Sequence, residues 1–438
     1  MLDGFASNVP KKPTSRRSLP RRHALVVAAA MGSLSASARS APLLTEPEGI
    51  QRVCNRGPDA ALARARRLTG SAEVIAAGVL PNPSLMVQHQ AVLSGPAERE
   101  TIVGLSVPLG VSGRRGLLQD AALARREQAF ADADATLFES ALEFREAYVT
   151  ALVDRARTDI LKEQQLALEA SSTAIEALAK SGEAAGYDLL RQRLQARIHR
   201  SSVASALARA EASRNRLSAW IDGEFSLPEV DVADIVRPVA TASSNQALPL
   251  TRRARSLEAG SRASAIEARA ARRRWLPDPD VFAGYRVVDG DSATAHGVSL
   301  SLTVPLTFFD HGQGDAARSD AEGQLLNASL DQLRWEQRAE AKAARARLEQ
   351  LSSGAAELGQ AQSEAHALLT QAQQLYSAGE ASIAEMLEAF RAAEEARLAE
   401  LEQMLEIALA RLVLMRAQGT MFDPSLDRAC LKPQQKEP

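Results

Sequence analysis

Two stretches of this chain, LPNP at residues 80–83 and LPDP at residues 276–279, stand 196 positions apart, and they are not alone. Val107-Pro108-Leu109 returns as Val304-Pro305-Leu306 and Gly182-Glu183-Ala184 as Gly379-Glu380-Ala381, both at an offset of 197, and Gly223 returns as Gly419 at 196. Landmarks in the same order at one spacing identify a tandem repeat. Whatever one half folds into, the other must fold into as well. The 438 residues are therefore read as two copies of one unit rather than as unrelated domains.

Each half has the same internal order. A helix of about 20 residues, 58–78 in the first half and 251–274 in the second, runs into the proline pair. Pro81 and Pro83, then Pro277 and Pro279, lack an N–H and disfavour helix in the residue before them, so the chain must leave the helix and extend. Hairpins at 82–110 and 278–308 follow, closed by Pro108 and Pro305. Beyond them residues 114–181 and 314–378 hold no proline at all. Nearly 70 helical residues at 1.5 Å each reach about 100 Å, far beyond a globular-domain helix. A Gly-containing turn near 182 or 379 then reverses the chain into another long helix. The first repeat spans residues 39–223, a Pro/Val/Ser-rich connector 224–250, the second repeat 251–419, and a polar tail 420–438.

The periods support this division. Leu137, Ala141, Phe144, Tyr148 and Leu152, like Leu398, Leu401, Leu405, Ala408, Leu412 and Met415, recur at three and four, the spacing of helices packed lengthwise. The low aromatic share of 4% fits the same architecture. The hairpins alternate with period two instead. Leu85 and Val87 oppose Gln88 and Gln90, and Val103, Leu105, Val107 and Leu109 share a face. Val281, Ala283, Tyr285 and Val287 oppose Arg286, while Val298, Leu300, Leu302 and Val304 oppose Ser299, Ser301 and Thr303. Each run has about the 9–11 residues of a tilted strand crossing a bilayer, with Trp275, Phe308 and Phe309 at strand ends. Four strands cannot close a barrel. In lipid the chain would have to oligomerise.

The N-terminus reads as an export signal. Lys11, Lys12, Arg16, Arg17, Arg21 and Arg22 precede the apolar run 24–34, and Ala36-Ser37-Ala38 offers a cleavage site, so residues 1–38 are expected to be removed. Their loss takes away six Lys/Arg and one Asp, and the net charge goes from −2 to −7. Such a balance gives no basic stripe for nucleic acid. Cys54 and Cys430, near opposite ends of the mature chain, could pair in an oxidising periplasm or stand as two separate thiols. The six histidines are scattered, and no metal set, phosphate loop or catalytic constellation is legible, so no cofactor and no enzymatic activity is expected.

The leader, the tandem repeat, the two proline-flanked hairpins and the turns "SGEA" and "AGEAS" together resemble the TolC family of outer-membrane efflux proteins. "LYSAGEASIAEMLEAFRA" is similar to its cation and multidrug branches in particular. The resemblance covers residues 58–419. It implies a mixed α and β membrane protein, a homotrimer whose three chains contribute four strands each to a twelve-stranded barrel in outer-membrane lipid. Long coiled-coil helices would form a periplasmic tunnel meeting an adaptor (membrane fusion) protein and an inner-membrane pump, of RND type. It also implies that Glu385 and Glu388, one turn apart, form a cation-selective ring at the periplasmic gate, with Asp188 matching an acid of the family's closed-state lock. The lock's arginine is absent here, since Ala381 holds its position, and Arg191 is the substitute to examine. Gly182, Glu183, Ala184, Gly379, Glu380 and Ala381 match the adaptor-contacting tips. The alternative reading is a periplasmic coiled-coil scaffold or adaptor in which each hairpin is a small soluble sheet packed on helices.

Overall fold

The computed structural model of the chain describes residues 42–94, 98–181, 186–221, 223–229, 249–290 and 293–421. The signal segment, the first tip (182–184), most of the connector and the C-terminal tail with Cys430 lie outside the described residues.

The first half contains α1 (Glu46–Arg56), α2 (Pro58–Gly78), β1 (Ser84–Ala91), β2 (Arg99–Pro108), α3 (Arg114–Ser181) and α4 (Gly186–Ser218). The second contains α5 (Arg252–Arg272), a 3-10 turn (Arg273–Trp275), β3 (Asp280–Asp289), β4 (Thr294–Thr303), α6 (Gln313–Ser377) and α7 (Ile383–Gln418). The long helices α3 and α6 are unbroken over 68 and 65 residues, as the proline-free runs require. Among the described residues helix α1 has no counterpart in the second half.

The shorter helices lie in pairs along the long ones. Ala60 and Ala63 of α2 pack on Ala133 and Leu137 of α3, while Gln192 and His199 of α4 reach the carbonyls of Leu168 and Leu161 further along it. Both therefore run antiparallel to α3, α4 from the tip to the middle and α2 from the middle to the sheet. The second half repeats the arrangement. Leu257 of α5 packs on Leu330 of α6, and Leu414 and Ala417 of α7 pack on Ala341 and Ala344. At the junction of α7 with α5, Gly419 takes a left-handed φ of 67°, Arg252 Nη1 donates to its carbonyl at 2.6 Å, and Thr251 caps α5 by accepting from Ala254 N. A Cβ on Gly419 would lie 2.6 Å from Thr251 Cγ2, so the junction needs glycine for its backbone and for its space.

Helix α3 touches α5 and α7, so the order across the helices is α2/α4, α3, α5/α7, α6. The sheet has the matching order β1-β2-β3-β4, antiparallel throughout. The repeat offset reappears as contact. Arg125 bonds Glu322, 197 positions on, and Arg391 bonds Gln195, 196 positions back. Equivalent residues can touch only if the two halves stand side by side at the same level.

The main core gathers where the paired helices meet end to end. Leu44, Ile50 and Val53 of the N-terminal segment pack on Phe144 and Tyr148 of α3, with Leu217, Phe225 and Met415. Cys54 belongs to this cluster and is disulfide-bonded. Phe225 and Leu227, expected to be plain connector, are part of the core, and Ser226 between them forms a parallel bridge with Leu43. A second cluster near the tip joins Leu168 and Ile175 to Ile383, Leu387 and Phe390. Among the described residues no helix is long and apolar enough to cross a membrane.

Candidate functional site

The sheet stands at the end of the helices, and among the described residues no helix packs broadly against either face. Its register sorts the residues by face. Leu85, Leu105, Ala283 and Leu300 lie in one cross-strand row, Val87, Val103, Tyr285 and Val298 in the next. Val298 is 80% and Leu300 77% exposed, figures that in water would mark an unfinished protein. The opposite face carries Gln88 and Arg286, the latter paired to Glu100 at 2.7 Å across the β2–β3 boundary. One side chain on that face is buried. Phe282, 6% exposed, lies over Gly104 and Gly284, which pair with each other, and a Cβ on either glycine would come within 2.6 Å of its Cζ. Glycines inside alternating strands announce a close approach, and that signal was present in the sequence.

The six prolines that flank the two hairpins sit at changes from helix to strand or back. Pro81 and Pro83 separate α2 from β1, Pro277 and Pro279 separate the 3-10 turn from β3, Pro108 ends β2 and Pro305 follows β4. The halves are pinned there by Asp278, which accepts from Ser112 N at 2.8 Å and Ser112 Oγ at 2.9 Å. Leu109 N donates to Pro279 O at 2.8 Å. Trp275, Phe308 and Phe309 project from the same level, all strongly exposed. Arg274 beside them is paired with Asp310 at 3.0 Å and Asp315 at 2.8 Å.

Below the junction Arg125 of α3 holds Glu267 of α5 through two bonds of 2.9 Å and Glu322 of α6 through a third. Its hydrogen bonds to Glu267 hold the guanidinium charged more firmly than usual, against the cost of burial. No motif revealed this group, because its three members come from three separated helices.

At the tip the turn after α6 is closed by Gly379, at φ 78°, with Glu380 N donating to Leu375 O at 2.9 Å. Helix α7 then opens with a capping box. Ser382 Oγ accepts from Glu385 N, and Ser382 N donates to Glu385 Oε2 at 2.7 Å. That backbone bond holds the Glu385 carboxyl below its ordinary range. Glu385 therefore performs a structural task that a charge ring alone would not ask of it. Glu388, one turn on, keeps a side chain 75% exposed, with Arg391 at 3.9 Å. Asp188, on α4, lies near the Tyr376 hydroxyl, whose pKa is raised by burial and then by that carboxylate. Among the described residues of the chain Asp188 takes part in no ion pair with Arg191 or any other arginine. Among the described residues no group of three or more His, Cys, Asp or Glu is placed to hold a metal.

No protein-family model matches the chain, and no curated protein matches it. Solved structures do. CusC, whose crystal structures address conformational changes accompanying folding and transmembrane channel formation, superposes with a TM-score of 0.71 at 17% identity, over 89% of this chain and 96% of its own. The Campylobacter jejuni CmeC outer membrane channel gives 0.68 at 13% identity over 94% and 98%, and the open state of the Neisseria gonorrhoeae MtrE outer membrane channel 0.65 at 17% over 86% and 89%. This chain has the fold of those outer-membrane channels. In a channel fold the uncovered sheet, its exposed apolar face and the four-helix-wide slab beneath it are parts of one arrangement rather than separate oddities.

Proposed function

We propose that the chain is the outer-membrane duct of a tripartite efflux system. Three copies join side by side into a twelve-stranded barrel in outer-membrane lipid, above an α-helical tunnel that extends into the periplasm. The duct performs no catalysis. It passes substrates received from a periplasmic adaptor and an inner-membrane pump of RND type.

The observation that carries this reading is the coincidence of two kinds of incompleteness. The sheet ends in unpaired edges at β1 and β4, and the helical slab ends at α2/α4 on the one side and α6 on the other. A head-to-tail ring of copies closes both at once, and lipid covers the apolar face. The stripe Tyr187, Leu190, Leu194 and Ile198, exposed on α4 at helical spacing, fits a seam with the next copy. A soluble scaffold would need its hairpins packed on helices. The bare faces of the sheet speak against it.

Within this reading Glu385 and Glu388 line the periplasmic entrance as carboxylate rings, near Asp188, with Glu388 contributing the freer charge. The turns at 182–184 and 379–381 are the adaptor contacts. Cys430, the only other cysteine in the chain, is the natural partner of Cys54, tying the C-terminal segment to the main core.

Cell fractionation tests the location. Expressed with its leader, the protein should sediment with outer membranes and come free only in detergent. Recovery of the bulk as a monomer in the soluble periplasmic fraction would contradict the proposal.

A further inference from the structure

His199 of α4 is 3% exposed, and both of its ring nitrogens face acceptors. Nε2 lies 2.8 Å from the carbonyl of Leu161 on α3, and Nδ1 lies 3.5 Å from Glu394 Oε2 on α7. A carbonyl can only accept, so Nε2 must carry a hydrogen. Nδ1 then meets a carboxylate with its lone pair unless a proton sits on Nδ1 or on Glu394. The arrangement is satisfied only when the pair holds one proton more than a neutral imidazole and a carboxylate would.

The pair occupies a mechanical position. Helices α4 and α7 both pack on α3, and their side chains meet across it in the tip half of the molecule, where Leu398 also packs on Leu161 and Val203. One turn away Arg391 Nη2 donates to Gln195 Oε1 at 2.5 Å. We propose that His199 and Glu394 form a pH-responsive latch, which fastens α4 to α7 across α3 while the pair keeps its extra proton and loosens when rising pH removes it.

The surroundings agree in sign. Glu394 has its pKa raised, first by burial, with Glu395 adding to the shift and His199 and Arg391 opposing it. Of the nearby charges of α3, Glu163 is engaged by Arg397 at 2.8 Å and Glu169 by Arg200 at 3.3 Å, while Lys162, next to Leu161, is exposed to solvent. A carboxyl whose folded pKa lies above its unfolded one adds stability at acid pH and loses it as pH rises through the folded value. Low pH therefore keeps the latch shut.

The proposal stands on the helix packing alone. Its bearing on opening of the tip rests on the duct reading, and the following readout is independent of conductance. Hydrogen exchange of the full chain in detergent is followed from pH 5 to pH 8, corrected for intrinsic rates, with residues 58–78 as internal reference. Protection around 192–203 and 390–398 should fall about tenfold relative to the reference for each unit by which folded and unfolded pKa differ. In Glu394→Gln the amide donates to Nδ1 at every pH, so protection should stay high and flat. A wild-type profile parallel to the reference overturns the proposal without any variant being needed. So does Glu394→Gln with an undiminished pH dependence.

Discussion

Tyr148 shows how a single buried group ties the N-terminal segment to the helical body. Its hydroxyl donates to Leu44 O at 3.0 Å, and burial, with Glu46 nearby, pushes its pKa up to about 12. The folded pKa lies above the unfolded one. The contribution is therefore complete below about pH 10 and is lost as pH climbs toward 12. Alkaline unfolding followed by circular dichroism should show this loss, and Tyr148→Phe should flatten it. At neutral pH the same variant should be less stable by about 1–3 kcal/mol, because Leu44 O is left without its donor. Glu385 and Glu388 separate at the same scale. Glutamine can still complete a capping box, so Glu385→Gln changes charge with little change of structure, as Glu388→Gln does. In reversal-potential measurements on reconstituted protein both should lower the preference for cations, Glu388→Gln the more, since Glu385 is held by Ser382. An unchanged preference in the double variant would reduce both residues to a solvated helix face.

The elements were legible to different degrees, for physical reasons. Helix α3 emerges at Arg114–Ser181 as the proline-free run indicated, because no other physics competes with an uninterrupted 3.6-residue period. The strands fall inside the expected hairpins, since period-two alternation between prolines has few other meanings. Helix α1 was missed. It is short, and its stability comes from packing on Phe144 rather than from any pattern along the chain. The Arg125 cluster was equally hidden, because charges on separated helices form no pattern along the chain. That cluster gives an element-scale prediction. Arg125→Met leaves Glu267 and Glu322 facing each other, and with both partly exposed the cost should be about 1–3 kcal/mol, below that of a fully buried pair. Differential scanning fluorimetry should show a lower melting temperature, partly restored by adding Glu267→Gln and Glu322→Gln. Gly419→Ala should cost more than about 1 kcal/mol by the same assay, through its left-handed backbone and the approach of Thr251.

For the whole molecule the decisive property is that one chain is unfinished. Tandem duplication gives it two hairpins and two helical pairs, enough for a four-stranded sheet on a slab of helices and too little for closure. Glu385, Glu388 and Asp188 are singled out as proposed gate residues only through the family resemblance. The capping task of Glu385 became visible only once Ser382 was placed beside it. The direct test of the duct is electrical. The protein, expressed with its leader and purified from outer membranes in detergent, should have the mass of three copies by light scattering. Added to a planar bilayer, it should produce stepwise, cation-preferring conductance. A water-soluble monomer that leaves the bilayer silent would contradict the duct.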